Sequence, residues 1–233
     1  MANNLRKFQN EAEYSAATLN YPAVSWVVNG EVHFDKTAPA TFGGLTVKYN
    51  VTQGEAQSEI TLFNGGGDSS SSSESSSESG GGGALPTRMI VDGVEETPIN
   101  TWRFETAGEH IVQYEFADNA VPQDFIKHLS TVKEVVVGND ITSIGYEAIL
   151  GCASLTSATI GSGVTLIANG VFYDCTGLTS VTVNAIDPPT LGSMAFDNTN
   201  NCPIYVLASV VEMYQTSTST GWSTYASRIQ AIQ

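Results

Sequence analysis

The chain has 233 residues, 41% of them hydrophobic, and carries 24 Asp and Glu against 9 Lys and Arg, a formal net charge of −15. Such an acidic balance repels phosphate backbones and anionic lipid, so it argues against nucleic acid and anionic membrane surfaces as partners. No stretch approaches the roughly 20 apolar residues that span a bilayer, and the three cysteines, Cys152, Cys175 and Cys202, fit neither an even-numbered disulfide framework nor the CxxC spacing of a zinc site.

The opening residues, MANNLRKFQNEAEY, contain no apolar core of a signal peptide. The expectation is delivery outside the general secretory route, or retention inside the cell that makes the chain. Residues 10–19 (NEAEYSAATL) suit a short helix, with Asn10 as N-cap and Glu13 at the capping-box position three residues on. Then AVSWVV and EVHFD flank Asn29-Gly30, a type I′ hairpin signal, and Pro39 ends the pattern. Residues 45–50 (LTVKYN) and 59–63 (EITLF) read as two further strands on either side of a polar turn at Gln53-Gly54.

Residues 65–83, GGGDSSSSSESSSESGGGG, have no apolar side chain to bury. By composition they form a flexible tether with an end-to-end distance of roughly 25 Å. Beyond them, RMIV with Asp92-Gly93, NTWRF, Ala107-Gly108 and HIVQYEF, in which Ile111, Gln113 and Glu115 alternate with Val112, Tyr114 and Phe116, predict a small β element.

From about residue 120 the chain repeats itself at 23 residues. Val121, Ile144 and Ile167 fall in register, with Leu191 following 24 later; Phe125, Ala148 and Val171 lead to Ala195, and Ile126, Ile149 and Phe172 to Phe196. Leu129, Cys152 and Cys175 align, with Cys202 assigned to close the last unit; Val132, Leu155 and Leu178 align, as do Val135, Ala158 and Val181, and Val137, Ile160 and Val183. Each unit reads as an apolar pair, a small helical or turn piece, and a short strand. A unit this short cannot bury its own apolar side, so the copies must stack into ladders. The repeat core is then expected to include Ile144, Leu155, Ile167, Phe172, Leu178 and Phe196, with Cys152 and Cys175 as small buried hydrophobes. Asp187-Pro188-Pro189 interrupts the last interval and predicts a loop. After the repeats, residues 208–215 suit a helix, and Met213, Trp222, Tyr225 and Ile229 suit a cover over the open end of the core.

The text SIGYEAILGCASLTSATIGSGVTLIANGVFYDCTGLTSVTV resembles the BspA-type leucine-rich repeat, whose units read roughly SIGxxAFxxCxxLxxVxIPxxV. The chain departs from it where Ile126 and Ile149 replace the Phe of the AF pair and Gly161 replaces the Pro of the IP pair. The segment VDGVEETPINTWRFETAGEHIVQYEF resembles the β segment that introduces such repeats, and residues 201–233 resemble their terminal cap. A second resemblance covers residues 8–35, which look like the N-termini of virion proteins of tailed phages of gut bacteria, including crAss-like phages. There a short helix and a P-x-V-S-[WY]-[IV] hairpin precede varied distal domains, matched here by Pro22, Val24, Ser25, Trp26 and Val27.

No arrangement of catalytic residues stands out. His33, His110 and His128 are scattered, no HExxH occurs, Gly161-Ser162-Gly163 lacks the lysine of a phosphate loop, and Asp187 and Asp197 match no calcium-loop spacing. The expectation is a non-enzymatic chain without cofactor or metal. The tryptophans Trp26, Trp102 and Trp222 read as packing residues rather than sugar platforms.

The expected architecture is mainly β with short helices: residues 1–64 as an N-terminal anchoring and oligomerising region, 65–84 as the linker, 85–118 as the small β element, 119–206 as the solenoid and 207–233 as its cap. Tyr14, Leu19, Pro22, Val24, Trp26, Val28, Val32 and Phe34 are the candidate anchoring interface, because they offer more apolar surface than one helix and two strands can cover. The phage resemblance implies a virion protein, a head fibre or capsid decoration that binds capsid or other virion proteins, associates as a dimer or trimer, and displays a self-sufficient unit at 86–233 toward host glycans or proteins. Two alternatives stand beside it: a tail fibre or tail-associated adhesin, and a bacterial cell-surface BspA-like adhesin.

Overall fold

The computed structural model describes the backbone of residues 25–28 and 31–34, and residues 42–64 and 85–232 in full. The helix expected over 10–19, the run 65–84, and the candidate interface residues Tyr14, Leu19, Pro22 and Val24 lie outside the described residues, as do the side chains of Trp26, Val28, Val32 and Phe34. Strand β1 (Ser25–Val28) pairs antiparallel with β2 (Glu31–Phe34), and Val28 faces Glu31 across a two-residue connection.

The remaining strands follow in chain order. They are β3 (Leu45–Val51), β4 (Glu59–Thr61), β5 (Arg88–Val91), β6 (Val94–Glu96), β7 (Thr101–Arg103), β8 (Gly108–Glu115) and β9 (Ala120–Val121). In the repeats, long and short strands alternate: β10 (Val132–Val137), β11 (Ser143–Ile144), β12 (Ser157–Ile160), β13 (Leu166–Ile167), β14 (Ser180–Val183), β15 (Thr190–Leu191) and β16 (Ile204–Val206). Helix α1 (Val211–Thr216), a 3₁₀ segment (Trp222–Arg228) and β17 (Ile229–Ala231) end the chain.

The 23-residue spacing is a stack of coils. Strands β9, β11, β13 and β15 form one parallel ladder, with Val121, Ile144, Ile167 and Leu191 in register. Strands β10, β12, β14 and β16 form a second, aligning Val135, Ala158, Val181 and Ile204, and Val137, Ile160, Val183 and Val206. The third side of each coil is a run of turns rather than a helix. Its amides reach the next coil: Asp124, Ile126 and His128 donate to the carbonyls of Tyr146, Ala148 and Leu150, and Glu147, Ile149 and Gly151 to those of Asn169, Val171 and Tyr173. Stacking thus satisfies backbone groups that a short unit alone would leave unpaired.

That turn requires two left-handed residues per coil. The first is Asp124, Glu147, Gly170 or Met194, and the second His128, Gly151, Asp174 or Asn198, all with positive φ. Elsewhere glycine serves close approach: a Cβ on Gly161 would lie 2.5 Å from the Gly138 carbonyl oxygen of the coil below. A side chain at Gly161, the position where the family pattern has proline, would meet that carbonyl.

Ile144, Leu155, Ile167, Phe172, Leu178, Phe196, Cys152 and Cys175 are all fully buried. The Cys152 and Cys175 thiols donate to the Ile126 and Ile149 carbonyls of the preceding coil, at 2.9 and 3.1 Å. Cys202 is not their successor. Leu155 and Leu178 donate their amides to the carbonyls of Cys152 and Cys175, and Cys202 donates to Thr199 in the same way. Thr199 therefore takes the cysteine position, with its hydroxyl on the Phe196 carbonyl at 2.7 Å, and Cys202 takes the leucine position. The extra residue in the last interval hides this in a 23-residue alignment.

Residues 42–64 overturn the boundary expected at 64. Strand β3 is inserted antiparallel between β8 and β10, pairing Val47 with both Val112 and Val135, so it lies inside one nine-stranded sheet, β17-β16-β14-β12-β10-β3-β8-β5-β6. Strand β4 pairs with β7, not with β3. Phe63 stacks on Phe125 of the first coil at 4.9 Å, Tyr114 meets both rings edge-on, and the Asn64 amide and side chain bond to Phe125, Asp124 and Lys127 carbonyls. Together these residues form the N-terminal cap of the solenoid, supplying the bonds and apolar contacts that a preceding coil would supply. The sequence separates them from their partners by the Ser/Gly run, which made them look independent.

At the other end the cap substitutes for an absent coil. Tyr225 accepts the Phe196 amide at 3.3 Å, the Thr220 carbonyl accepts the Leu191 amide, and the Arg228 guanidinium donates to the Phe196 and Cys202 carbonyls and the Thr199 hydroxyl at 2.8–3.0 Å. Trp222 and Tyr214 are fully buried, bonded to the Pro189 and Ala185 carbonyls at 2.7 Å. Met213, expected to cover the core, is instead 45% exposed, because its neighbour Tyr214 occupies the inward side of α1.

Candidate functional site

The nine-stranded sheet packs one face on the core; its other face is partly accessible along the solenoid strands, whereas Thr46, Gln113 and Ile90 on the rest of it are buried. Along β12 and β14, Ala158, Ile160, Val181 and Val183 point inward, so Ser157, Thr159, Ser180 and Thr182 point outward and stay partly accessible. Register aligns them into two rows. One runs Gln230, Tyr205, Thr182, Thr159, Val136, Thr46, Gln113 and Ile90; the other runs Ser180, Ser157, Glu134, Lys48 and Ile111. With neighbouring strands about 4.8 Å apart, the solenoid half presents a regular array of small hydroxyls ending at the Tyr205 ring.

Beside the buried Thr46, Gln113 and Ile90, the other half of this face carries paired charges. Lys48 bridges Glu134 at 2.7 Å and Glu109 at 3.8 Å, and Arg88 bridges Glu115 at 2.9 Å and Glu95 at 3.2 Å. These cations are committed to carboxylates, which raises the Lys48 pKa chiefly through the Glu134 hydrogen bond and that of Arg88 chiefly through Glu95. The face therefore offers no free basic cluster among the described residues, and its hydroxyl half is neutral.

Among the described residues, His110, His128, Cys152, Cys175 and Asp197 are structurally engaged. His110 is buried beneath Phe104, with ring centroids 4.0 Å apart, and its two ring nitrogens lie 2.7 Å from the Asp92 carboxylate and 3.0 Å from the Thr106 carbonyl. His128 lies over Gly151 in the turn of the coils. Asp197 accepts the Tyr225 hydroxyl at 2.8 Å and so belongs to the cap. Burial pushes the Cys152 thiol up to about 12 and the Cys175 thiol higher still. Among the described residues, no group of three or more His, Cys, Asp or Glu is placed to hold a metal ion, and no helix is long and apolar enough to cross a membrane. No motif marks Ser157, Thr159, Ser180, Thr182 and Tyr205 in the sequence; the signal for them is their position between successive core residues of each repeated strand.

A coiled stack of short parallel strands, with interior ladders and an outward sheet face, defines a leucine-rich-repeat protein. The model of the BspA-type leucine-rich repeat region matches residues 98–219 in six copies, more than half of the chain, and the chain belongs to that family. The matched span begins just before β7 and ends within the cap, beyond the four coils that share the two repeat ladders. No curated protein matches the chain. Family membership points to a role in surface adhesion or binding.

Proposed function

We propose that the chain is a non-enzymatic display protein whose solenoid binds a neutral glycan on a host surface through Ser157, Thr159, Ser180, Thr182 and Tyr205, and that it does so as a virion component, a head fibre or capsid decoration. The outward hydroxyl rows carry the binding part of this reading. Regularly spaced hydroxyls donate and accept hydrogen bonds in the manner sugar hydroxyls require, and an aromatic ring supplies an apolar platform beside them. An unpaired basic cluster, which an anionic polymer would need, is missing from the described part of this face. The virion part is supported by the resemblance of residues 8–35 to N-termini of phage structural proteins, with Pro22, Val24, Ser25, Trp26 and Val27 as the matching positions. The same segment would contact capsid or other virion proteins and associate copies of the chain.

An array of neutral and anionic polysaccharides, probed with the labelled full chain, tests the binding. Thr159→Arg with Thr182→Arg, or Tyr205→Ala alone, should reduce the neutral-glycan signal at least tenfold while the melting curve keeps its shape. Retained binding in both variants would move the site off this face. Antibodies against residues 86–233 test the display: they should decorate intact phage particles in immunogold images, and labelling of bacterial surfaces alone would favour the cellular adhesin.

A further inference from the structure

We infer that the groove between β8 and β10 is a strand-binding site whose ligand is the segment 42–64, held without need of its covalent link, so that a chain cut within the Ser/Gly run remains one folded particle and can take this segment from a second copy. The ligand class is an extended peptide of the pattern LTVKYNV, with alternate apolar side chains and a free backbone on both edges.

The first argument is pairing. Strand β3 bonds along its whole length to β8, from Leu45 opposite Tyr114 to Val51 opposite Gly108, and on its other edge to β10, from Leu45 opposite Val137 to Tyr49 opposite Val132. Removing it would leave two facing sheet edges unpaired at the centre of the sheet, a costly arrangement that another strand of the same pattern would relieve.

The second is side-chain burial. Leu45, Val47 and Tyr49 are fully buried, and Val51 is nearly so. The Tyr49 hydroxyl donates to the Leu62 carbonyl and lies 2.9 Å from the Tyr114 hydroxyl. Leu62 and Phe63 add two more buried side chains, and Asn64 closes the turn ladder of the first coil. Affinity and register are thus both specified by residues between 45 and 64.

The third is the connection. Residues 65–83 contain only Gly, Ser, Asp and Glu, with no apolar side chain to bury. The composition is that of segments where chain scission is best tolerated. Cutting there removes an entropic link and none of the contacts named above.

The test uses the full chain with a site-specific protease sequence inserted between Ser73 and Glu74. After cleavage, the two pieces should co-elute in native size exclusion and separate in denaturing gels. Melting of the cut chain should become concentration-dependent, its midpoint falling on dilution while that of the uncut chain stays fixed. Separate elution of a folded C-terminal piece, or a midpoint indifferent to dilution, would overturn the inference. Heavy- and light-isotope cut chains, unfolded together in urea and dialysed, should reassemble in mixed pairs seen by native mass spectrometry. Recovery of unmixed pairs alone would overturn the exchange between copies. In this assay Val47→Asp should abolish reassembly while Glu59→Gln, an exposed position on β4, should leave it intact; equal reassembly of both would also overturn it.

Discussion

Met194 shows how a coil can be more demanding than its sequence. Its φ is 57°, in the left-handed region that costs a non-glycine residue about 1–2 kcal/mol, and its side chain is 54% exposed. Gly170 occupies the same place one coil earlier, with φ of 65°, and a Cβ there would lie 3.3 Å from the Glu147 Cγ, so that this flexible side chain would have to yield by a few tenths of an ångström. The two positions should therefore respond with opposite signs. Met194→Gly should raise stability by up to about 1 kcal/mol, and Gly170→Ala should lower it by about 1–2 kcal/mol, both read from urea midpoints. At the same scale, the buried thiols should be silent. Burial holds Cys152 and Cys175 as thiols at neutral pH, so a thiol-reactive dye should modify neither in the native chain and both after unfolding. Rapid native labelling would show that the coils open locally.

Between coils, Lys127 links the first turn to the second. Its ammonium meets Asp124 at 2.9 Å and also the Glu147 carboxylate. Desolvation raises the Glu147 pKa, but the Lys127 hydrogen bond, the Tyr146 hydrogen bond and the Lys127 charge together outweigh it, and the net direction is down. A carboxylate depressed in the folded state contributes stability above its unfolded pKa and loses it as pH falls through the folded value. Stability should accordingly decline with acidification below the ordinary glutamate range, and Glu147→Gln should flatten that decline while lowering stability at neutral pH. Parallel acid limbs for the parent and the variant would show that the pair contributes nothing. Asp124 and Glu147 both hold positive φ in their turns, and the shared lysine joins them across the step between coils.

For the molecule as a whole, the solenoid is a stack with two open ends, each closed by chemistry that differs from the repeat. Arg228, Tyr225 and Trp222 close one end with side-chain bonds to the last coil. Strand β3, Phe63 and Asn64 close the other. A 86–233 fragment lacks the second closure, leaving β8 and β10 with bare edges and Tyr114 and Phe125 without Phe63. Expressed alone, it should aggregate or melt far below the full chain, in contrast to the self-sufficiency that its own C-terminal cap suggests. A fragment that stays monomeric with an unchanged midpoint would show the N-terminal cap to be dispensable. Mixed sheet order makes this loss cooperative, because among the described strands β3 alone joins the antiparallel half β8-β5-β6 to the parallel coils.

The sequence by itself determined the repeat. Its period brought Val121, Ile144, Ile167 and Leu191 into one ladder, since side chains that must stack on their own copies recur at the length of one coil. Turn chemistry likewise specified the tight β5–β6 hairpin, where Asp92 and Gly93 both adopt positive φ. What only tertiary structure decided was non-local pairing. Nothing in LTVKYNV states that its two edges belong to β8 and β10, because strand alternation encodes which face is buried but not which neighbour accepts the backbone bonds. The identity of Thr199 as the fourth member of the cysteine position needed the backbone hydrogen bonds of the irregular last coil, for an added residue breaks the spacing that the eye follows. The candidate binding face was legible only in part. Its residues are the outward half of each repeated strand, yet their assembly into rows with Tyr205 and Gln230 depends on the register between strands, which is set by packing of the opposite, buried face.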